Sequence, residues 1–189
     1  KLWNEKKLQA FSTEIIDGKL MNKCASERLT GSPTRGGRPG TNAVKEGDLW
    51  VITGRKAYTT MSPALSYFVV TAWIEEKQAT GFFLLHRDLP GLSIDETWNV
   101  ISMRGTGSHD LVLDEVKVDD SKLVELIPPG KIPEPNGWML HIPAVYLGIA
   151  QAARDYAVHF ANQHSPNSIK GPISSLPNVR QLIGEIDLK

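Results

Sequence analysis

Tyr67-Phe-Val-Val-Thr-Ala-Trp-Ile74 is the stretch on which the fold turns. It is rich in aromatic and β-branched side chains, which crowd a helix and pack well on a pleated surface, so it reads as the strongest strand of the chain. Gly81-Phe-Phe-Leu-Leu-His86 follows as a second strand, stopped by Asp88-Leu-Pro-Gly91. Upstream, Leu49–Thr53 and Lys56–Thr60 flank Gly54 and predict a hairpin that turns at that glycine. Downstream, Trp98–Met103 and Asp110–Val118 complete the set. In the last of these, Val112, Val116 and Val118 alternate with Leu111, Leu113, Glu115 and Lys117, which predicts one apolar face and one mixed face. Short strands at this spacing point to an antiparallel sandwich or barrel and away from repeated βαβ units.

Helical patterns stand on either side. Leu2, Leu8, Phe11, Ile15 and Ile16 fall near one face of a helix that Gly18 can end. Residues 127–136 are rich in Pro and Gly and read as a linker. Beyond them Ile142, Val145, Ile149, Ala152, Tyr156 and Phe160 form an apolar stripe of helical period, with Pro143 tolerable only in its first turn or at a kink. Ser165-Pro-Asn-Ser-Ile-Lys-Gly-Pro172 breaks that helix, and a second begins near Pro177 with Val179, Leu182, Ile183 and Ile186. The expected class is α+β, a β domain between helical pieces.

Composition narrows the function. The chain has 189 residues, with 21 Lys+Arg against 21 Asp+Glu, so no bulk charge draws it to nucleic acid or anionic lipid. A single cysteine, Cys24, excludes an internal disulfide and suits a reducing, cytoplasmic compartment; the residue reads as a small buried hydrophobe. No apolar run approaches the roughly 20 residues that a membrane span needs. The chain opens at Lys1 with no initiator Met or signal-peptide pattern, and closes at Lys189 inside a helical pattern, so a segment of a longer polypeptide is expected.

The residues alone nominate no catalytic group. The five histidines are scattered, no HExxH or CxxC is present, and His159 and His164 are out of phase on a helix, so no metal is expected. The glycine-rich stretch from Gly31 to Gly40 is neither a Walker loop nor a GxGxxG turn. Ser32 lacks a nucleophile-elbow context and Cys24 lacks a neighbour that would hold a thiolate.

Four stretches nevertheless resemble, in order, the acyl-CoA dehydrogenase superfamily of flavoproteins. Cys24-Ala-Ser-Glu-Arg-Leu-Thr-Gly-Ser32 is similar to that family's Thr-Glu-x-x-x-Gly-Ser loop. Gly47–Lys56 leads into Tyr58-Thr-Thr60, where the family usually has Trp-Ile-Thr. Met103-Arg-Gly-Thr-Gly-Ser-His-Asp110 precedes the strand 111–118, and Leu147–Ala157 looks like the first helix of the C-terminal domain. The resemblance implies that residues 1–22 end an N-terminal helical domain, 23–126 form a middle β-barrel for flavin and substrate, and 137–189 begin a C-terminal helical domain. It implies FAD, held by Ala25, Ser26, Gly31, Ser32, Tyr58, Thr59 and Thr60. Ser26 and Thr60 would meet the isoalloxazine ring, Tyr58 would flank it, and Ser32 would contact the pyrophosphate or the pantetheine arm. Arg104 would organise the barrel without touching ligand. Each position also has an ordinary reading: strand-end hydroxyls bonded to local backbone, a barrel aromatic, a plain turn.

The reaction so implied is α,β-dehydrogenation of an acyl-CoA thioester, a CH–CH oxidation of fatty acid metabolism, with hydride passing to flavin N5 and electrons leaving for an electron-transfer flavoprotein. A homodimer or homotetramer is the family expectation. Departures count too. The family's Arg-x-x-Phe-Gly is replaced by His164-Ser-Pro-Asn-Ser168, Pro33 stands for a frequent Asp, and Trp138 occupies the one place in these helices where some members carry the base. The base is therefore expected beyond Lys189. Relatives of the same fold that take reduced FMN or FAD from a reductase and use O₂ remain an alternative, as does a scaffold without catalysis.

Overall fold

The computed structural model describes residues 3–30, 37–128 and 137–188. It divides into two compact units, 1–132 and 133–189.

The first unit opens with α1 (Glu5–Ile16), begun by Asn4, whose side chain accepts the Lys7 N–H at 3.0 Å. Gly18 follows at φ 93° and ends it. Then come β1 (Met21–Cys24), β2 (Asn42–Glu46), β3 (Leu49–Thr59), β4 (Tyr67–Ile74), β5 (Ala79–His86), β6 (Leu92–Asp95), β7 (His109–Asp119) and β8 (Leu123–Ile127). They form one sheet in the order β6-β7-β3-β2-β4-β5-β8, with β1 also alongside β4. The pairings β1–β4 and β2–β4 are parallel and the others antiparallel, so the sheet is mixed, and its edge strands β6 and β8 do not pair to close a barrel. The sheet still curls. Residues from one edge to the other, from Leu92 and Ile94 to Leu123, pack on one core whose centre is Ile52, Phe68, Val70, Phe83, Leu85 and Leu111. The α+β class stands as read, with a mixed open sheet where an antiparallel barrel or sandwich was expected.

Three local readings are corrected. Gly54 is not a hairpin turn: Leu49–Thr59 is one continuous strand, and the turn lies at Gly47-Asp48, where Glu46 pairs with Leu49 and Gly47 takes φ 58°. Gly54 is needed for space, because a Cβ there would sit 2.7 Å from Thr41 Cα. Trp98–Met103 forms no strand; the edge strand is Leu92–Asp95, whose four residues are too few to reveal an alternation. The alternation within β7 also changes phase. Ile52 pairs with Val116 but Gly54 with Leu113, so β7 holds one extra residue there, with Glu115 at φ 50°. That bulge turns Leu111 and Leu113 into the core beside Val116 and Val118 and leaves Val112 half-exposed.

The second unit holds α2 (His141–Gln163) and α3 (Pro177–Asp187), with Pro143 in the first turn of α2. Arg154 on α2 makes a bidentate bridge to Asp187 on α3, at 2.7 and 3.0 Å. Ile142, Val145, Ile149, Tyr156 and Phe160 are exposed, and Ala161 is the one buried residue of α2. Among the described residues no helix is long and apolar enough to cross a membrane.

Candidate functional site

The segment leaving β1 is anchored by a carboxylate turned inward. Glu27 Oε1 accepts Lys56 Nζ at 2.5 Å, Thr41 N at 3.0 Å and Thr41 Oγ1 at 2.7 Å, while Oε2 accepts Gly40 N at 2.6 Å and Thr30 Oγ1 at 2.8 Å. The Lys56 side chain is 0% exposed and also donates to Thr71 Oγ1 at 3.1 Å. Burial pushes the Glu27 carboxyl up, but the Lys56 ammonium and the Thr41 N–H and hydroxyl outweigh it and bring it down to about 2. Burial moves Lys56 downward, with Glu27 opposing. A buried pair so fully hydrogen-bonded fixes Glu27 to β3, and Ala57 N donating to Ser26 O at 2.8 Å closes the seam. Ala25 is thereby half-buried and Ser26 exposed, both against the far end of β3.

That end carries the second bulge. Lys56 pairs with Leu111 but Thr59 with His109, so β3 holds the extra residue, and Tyr58 sits at φ 58°. A tyrosine in the left-handed region costs on the order of 1 kcal/mol and persists only where its surroundings hold it. Here they do. Arg28 stands over the Tyr58 ring at 5.3 Å, and Trp98 meets it edge-on at 6.3 Å. Arg28 is in turn held by Asp110, at 3.1 Å from Nη2, and Arg55 Nε reaches the same carboxylate at 2.9 Å while its other arm pairs with Asp95. Asp110 is 1% exposed; burial pushes its carboxyl up, and the two guanidiniums pull it further down. Trp98 N donates to His109 Nδ1 at 3.1 Å. The Tyr58 ring is left 53% exposed but orientationally fixed.

Thr59 turns the other way, 1% exposed, beside the Cys24 thiol, whose pKa burial raises to about 12 while Thr59 and Lys56 oppose. Cys24 is thus the inert buried hydrophobe expected. Thr60 is half-buried. Its carbonyl accepts Asn22 Nδ2 at 3.0 Å, and its hydroxyl lies 3.0 Å from that of Ser108, which lies 2.8 Å from that of Thr106.

Of the sequence-predicted residues, the structure gathers Ala25, Ser26, Tyr58, Thr59 and Thr60 at the junction of β1 and the end of β3. It gives Thr59 an inward side chain. Gly31 and Ser32 lie outside the described residues. Arg104 is exposed and donates to Val100 O at 3.4 Å; the groups that tie the strands together are Glu27, Lys56, Arg55 and Asp110. Arg28, Trp98, Ser108 and Asp110, which the structure places around Tyr58 and Thr60, were not singled out from the sequence. The one signal available was chemical: Asp110 is an acidic residue at a strand start, with two arginines elsewhere to answer it. Among the described residues no three His, Cys, Asp or Glu side chains gather to hold a metal. The surface offers a rigid aromatic face, an adjacent hydroxyl and the backbone at the end of β3. Such a surface suits a flat heteroaromatic ring that needs hydrogen bonds along one edge.

Comparison with known proteins converges on one family. The model of the acyl-CoA dehydrogenase middle domain matches residues 23–116. The chain is 59% identical over 187 residues to YdbM of Bacillus subtilis (strain 168), covering 99% of the chain and 49% of YdbM. It is 33% identical over 119 residues to L-evernosamine nitrososynthase of Micromonospora, covering 59% of the chain and 28% of that protein. The crystal structure of glutaryl-CoA dehydrogenase from Mycobacterium smegmatis superposes with a TM-score of 0.76 at 23% identity, over 98% of this chain and 47% of that one. The chain spans about half the length of the curated relatives that match it over nearly all its residues.

Proposed function

The chain belongs to the acyl-CoA dehydrogenase superfamily, and from that premise we propose that the protein is a flavin-dependent acyl-CoA dehydrogenase in which this chain supplies one wall of the flavin site. The observation that carries the reading is the bulged end of β3. It exposes Tyr58 and leaves Thr60 half-buried while turning Thr59 inward, within the stretch that the family model matches. The described residues fit a flavin: a clamped aromatic for the ring face, hydroxyls for its polar edge, and a β1–β3 seam that brings Ser26 alongside.

When bound, FAD supplies the two-electron acceptor for α,β-dehydrogenation of an acyl-CoA thioester, taking hydride at N5. The chain's own residues bind and orient. Tyr58, held by Arg28 and Trp98, would flank the ring. Thr60 and Ser26 present hydrogen-bonding groups at its edge, and Gly31 and Ser32 are proposed for the pyrophosphate or the pantetheine arm. Residues 1–22, 23–126 and 137–189 are proposed as the end of an N-terminal helical domain, the middle domain and the start of a C-terminal helical domain. An electron-transfer flavoprotein as electron acceptor, a homodimer or homotetramer, and a cytoplasmic setting complete the proposal.

The test uses the complete gene product. Anaerobic addition of acyl-CoA thioesters of graded length is expected to bleach the visible band of bound flavin. No bleaching at any length, with turnover instead on reduced FMN or FAD and O₂, would overturn it. That second reading has its own support in the similarity to a nitrososynthase, whose name implies putting oxygen on nitrogen.

A further inference from the structure

We infer that the hydroxyls of Thr60, Ser108 and Thr106 form a one-way hydrogen-bond chain that leaves Thr60 facing the site as an acceptor, biasing the site toward reduced flavin. The inference rests on the flavin reading above and adds a polarity to it.

A hydroxyl carries one proton and accepts through two lone pairs. Thr106 Oγ1 lies 2.9 Å from Met103 O, and a carbonyl only accepts, so Thr106 spends its proton there. The 2.8 Å contact between Thr106 and Ser108 then requires Ser108 to donate. With the Ser108 proton spent, the 3.0 Å contact between Ser108 and Thr60 requires Thr60 to donate. The proton of Thr60 thus points into the protein, and only its lone pairs are offered outward. Ser108 is 5% exposed, so the direction is set by the protein with little access for water.

A flavin differs at N5 between its two states: the oxidised ring has an acceptor nitrogen there and the reduced ring an N–H donor. An acceptor hydroxyl satisfies the reduced form directly. To serve the oxidised form Thr60 must turn its proton outward, which breaks its bond to Ser108 unless all three hydroxyls reverse, and reversal strips the Thr106 hydroxyl from Met103 O. That carbonyl keeps Thr106 N at 3.1 Å and Trp98 Nε1 at 3.2 Å, so reversal is feasible but unfavourable. The chain therefore acts as a positioning device for the Thr60 proton.

The experiment measures dissociation constants of oxidised and reduced flavin for the complete gene product and its variants. Ser108→Ala frees the Thr60 proton directly, and Thr106→Val frees it by returning the Ser108 proton to Thr60. Each is expected to tighten oxidised relative to reduced flavin by about threefold to tenfold, the worth of one net hydrogen bond. A tenfold change corresponds to a two-electron midpoint lower by about 30 mV. Thr106→Ser, which keeps the chain, should restore the original ratio. In a Thr60→Val background, Thr106→Val should change nothing. A ratio unmoved by both variants while flavin still binds would overturn the chain's polarity alone, as would an equal shift in the Thr60→Val background. Failure of every flavin to bind would overturn the functional reading and this inference together.

Discussion

Glu27 and Lys56 hold opposite charges out of water, and their value lies in being broken together or not at all. Removing one partner strands a buried charge. Lys56→Met is expected to destabilise by about 3–5 kcal/mol, and adding Glu27→Gln should recover much of that. Urea titrations of the single and double variants check this. The pH dependence follows from the depressed carboxyl. Glu27 titrates at about 2 in the fold against an ordinary 4.5, so its contribution is complete above pH 4.5 and is lost as pH falls toward 2. Unfolding free energy measured down that limb should fall more gently in Glu27→Gln than in the native chain. At this scale the sequence was only partly legible. Tyr58 and Thr60 could be placed by resemblance, but the partners that hold Tyr58 are Arg28, Trp98 and Asp110, separated from it by 30 to 52 positions. No local pattern records such contacts.

The elements show what bulges do to a period-2 reading. One extra residue in β7 at Glu115 and one in β3 at Tyr58 each invert which side chains face the core. The first moves Leu111 and Leu113 inside; the second turns Thr59 in between Tyr58 and Thr60. Gly54 lies near the first of them, where β3 passes within van der Waals contact of Thr41. Gly54→Ala is expected to cost about 1–3 kcal/mol by overpacking against backbone that cannot yield, read as a lower denaturant midpoint with an unchanged slope. Gly47→Ala, where no atom lies within 4 Å of a Cβ, should cost less and only through its φ of 58°. The long strands β4, β5 and β7 were legible because their apolar content is dense. The short strands β1, β2, β6 and β8 were not, because four or five residues carry too little alternation and their partners decide them.

The two units of the molecule differ in how they are held. The core of 1–132 draws on all its strands, with Phe68, Phe83 and Leu111 at 0% exposure. That unit, expressed alone, is expected to unfold cooperatively, and Phe83→Ala within it to lose about 3–5 kcal/mol. Residues 133–189 alone should give a weak, non-cooperative helical signal in circular dichroism, because α2 and α3 bury almost nothing between them. A sharp, two-state melt of that piece would contradict this.

By itself the sequence determined the helical segments, the strands β4, β5 and β7, the α+β class, and the family, because apolar periodicity and short motifs are local properties of the chain. Only the tertiary structure decided that the sheet is mixed and open, that Gly54 is a crossing and not a turn, and that Thr59 faces inward. It alone showed that Thr60 has a directed hydroxyl behind it. Each of these depends on a register between strands or on groups up to 48 positions apart, and such contacts exist only once the chain has folded.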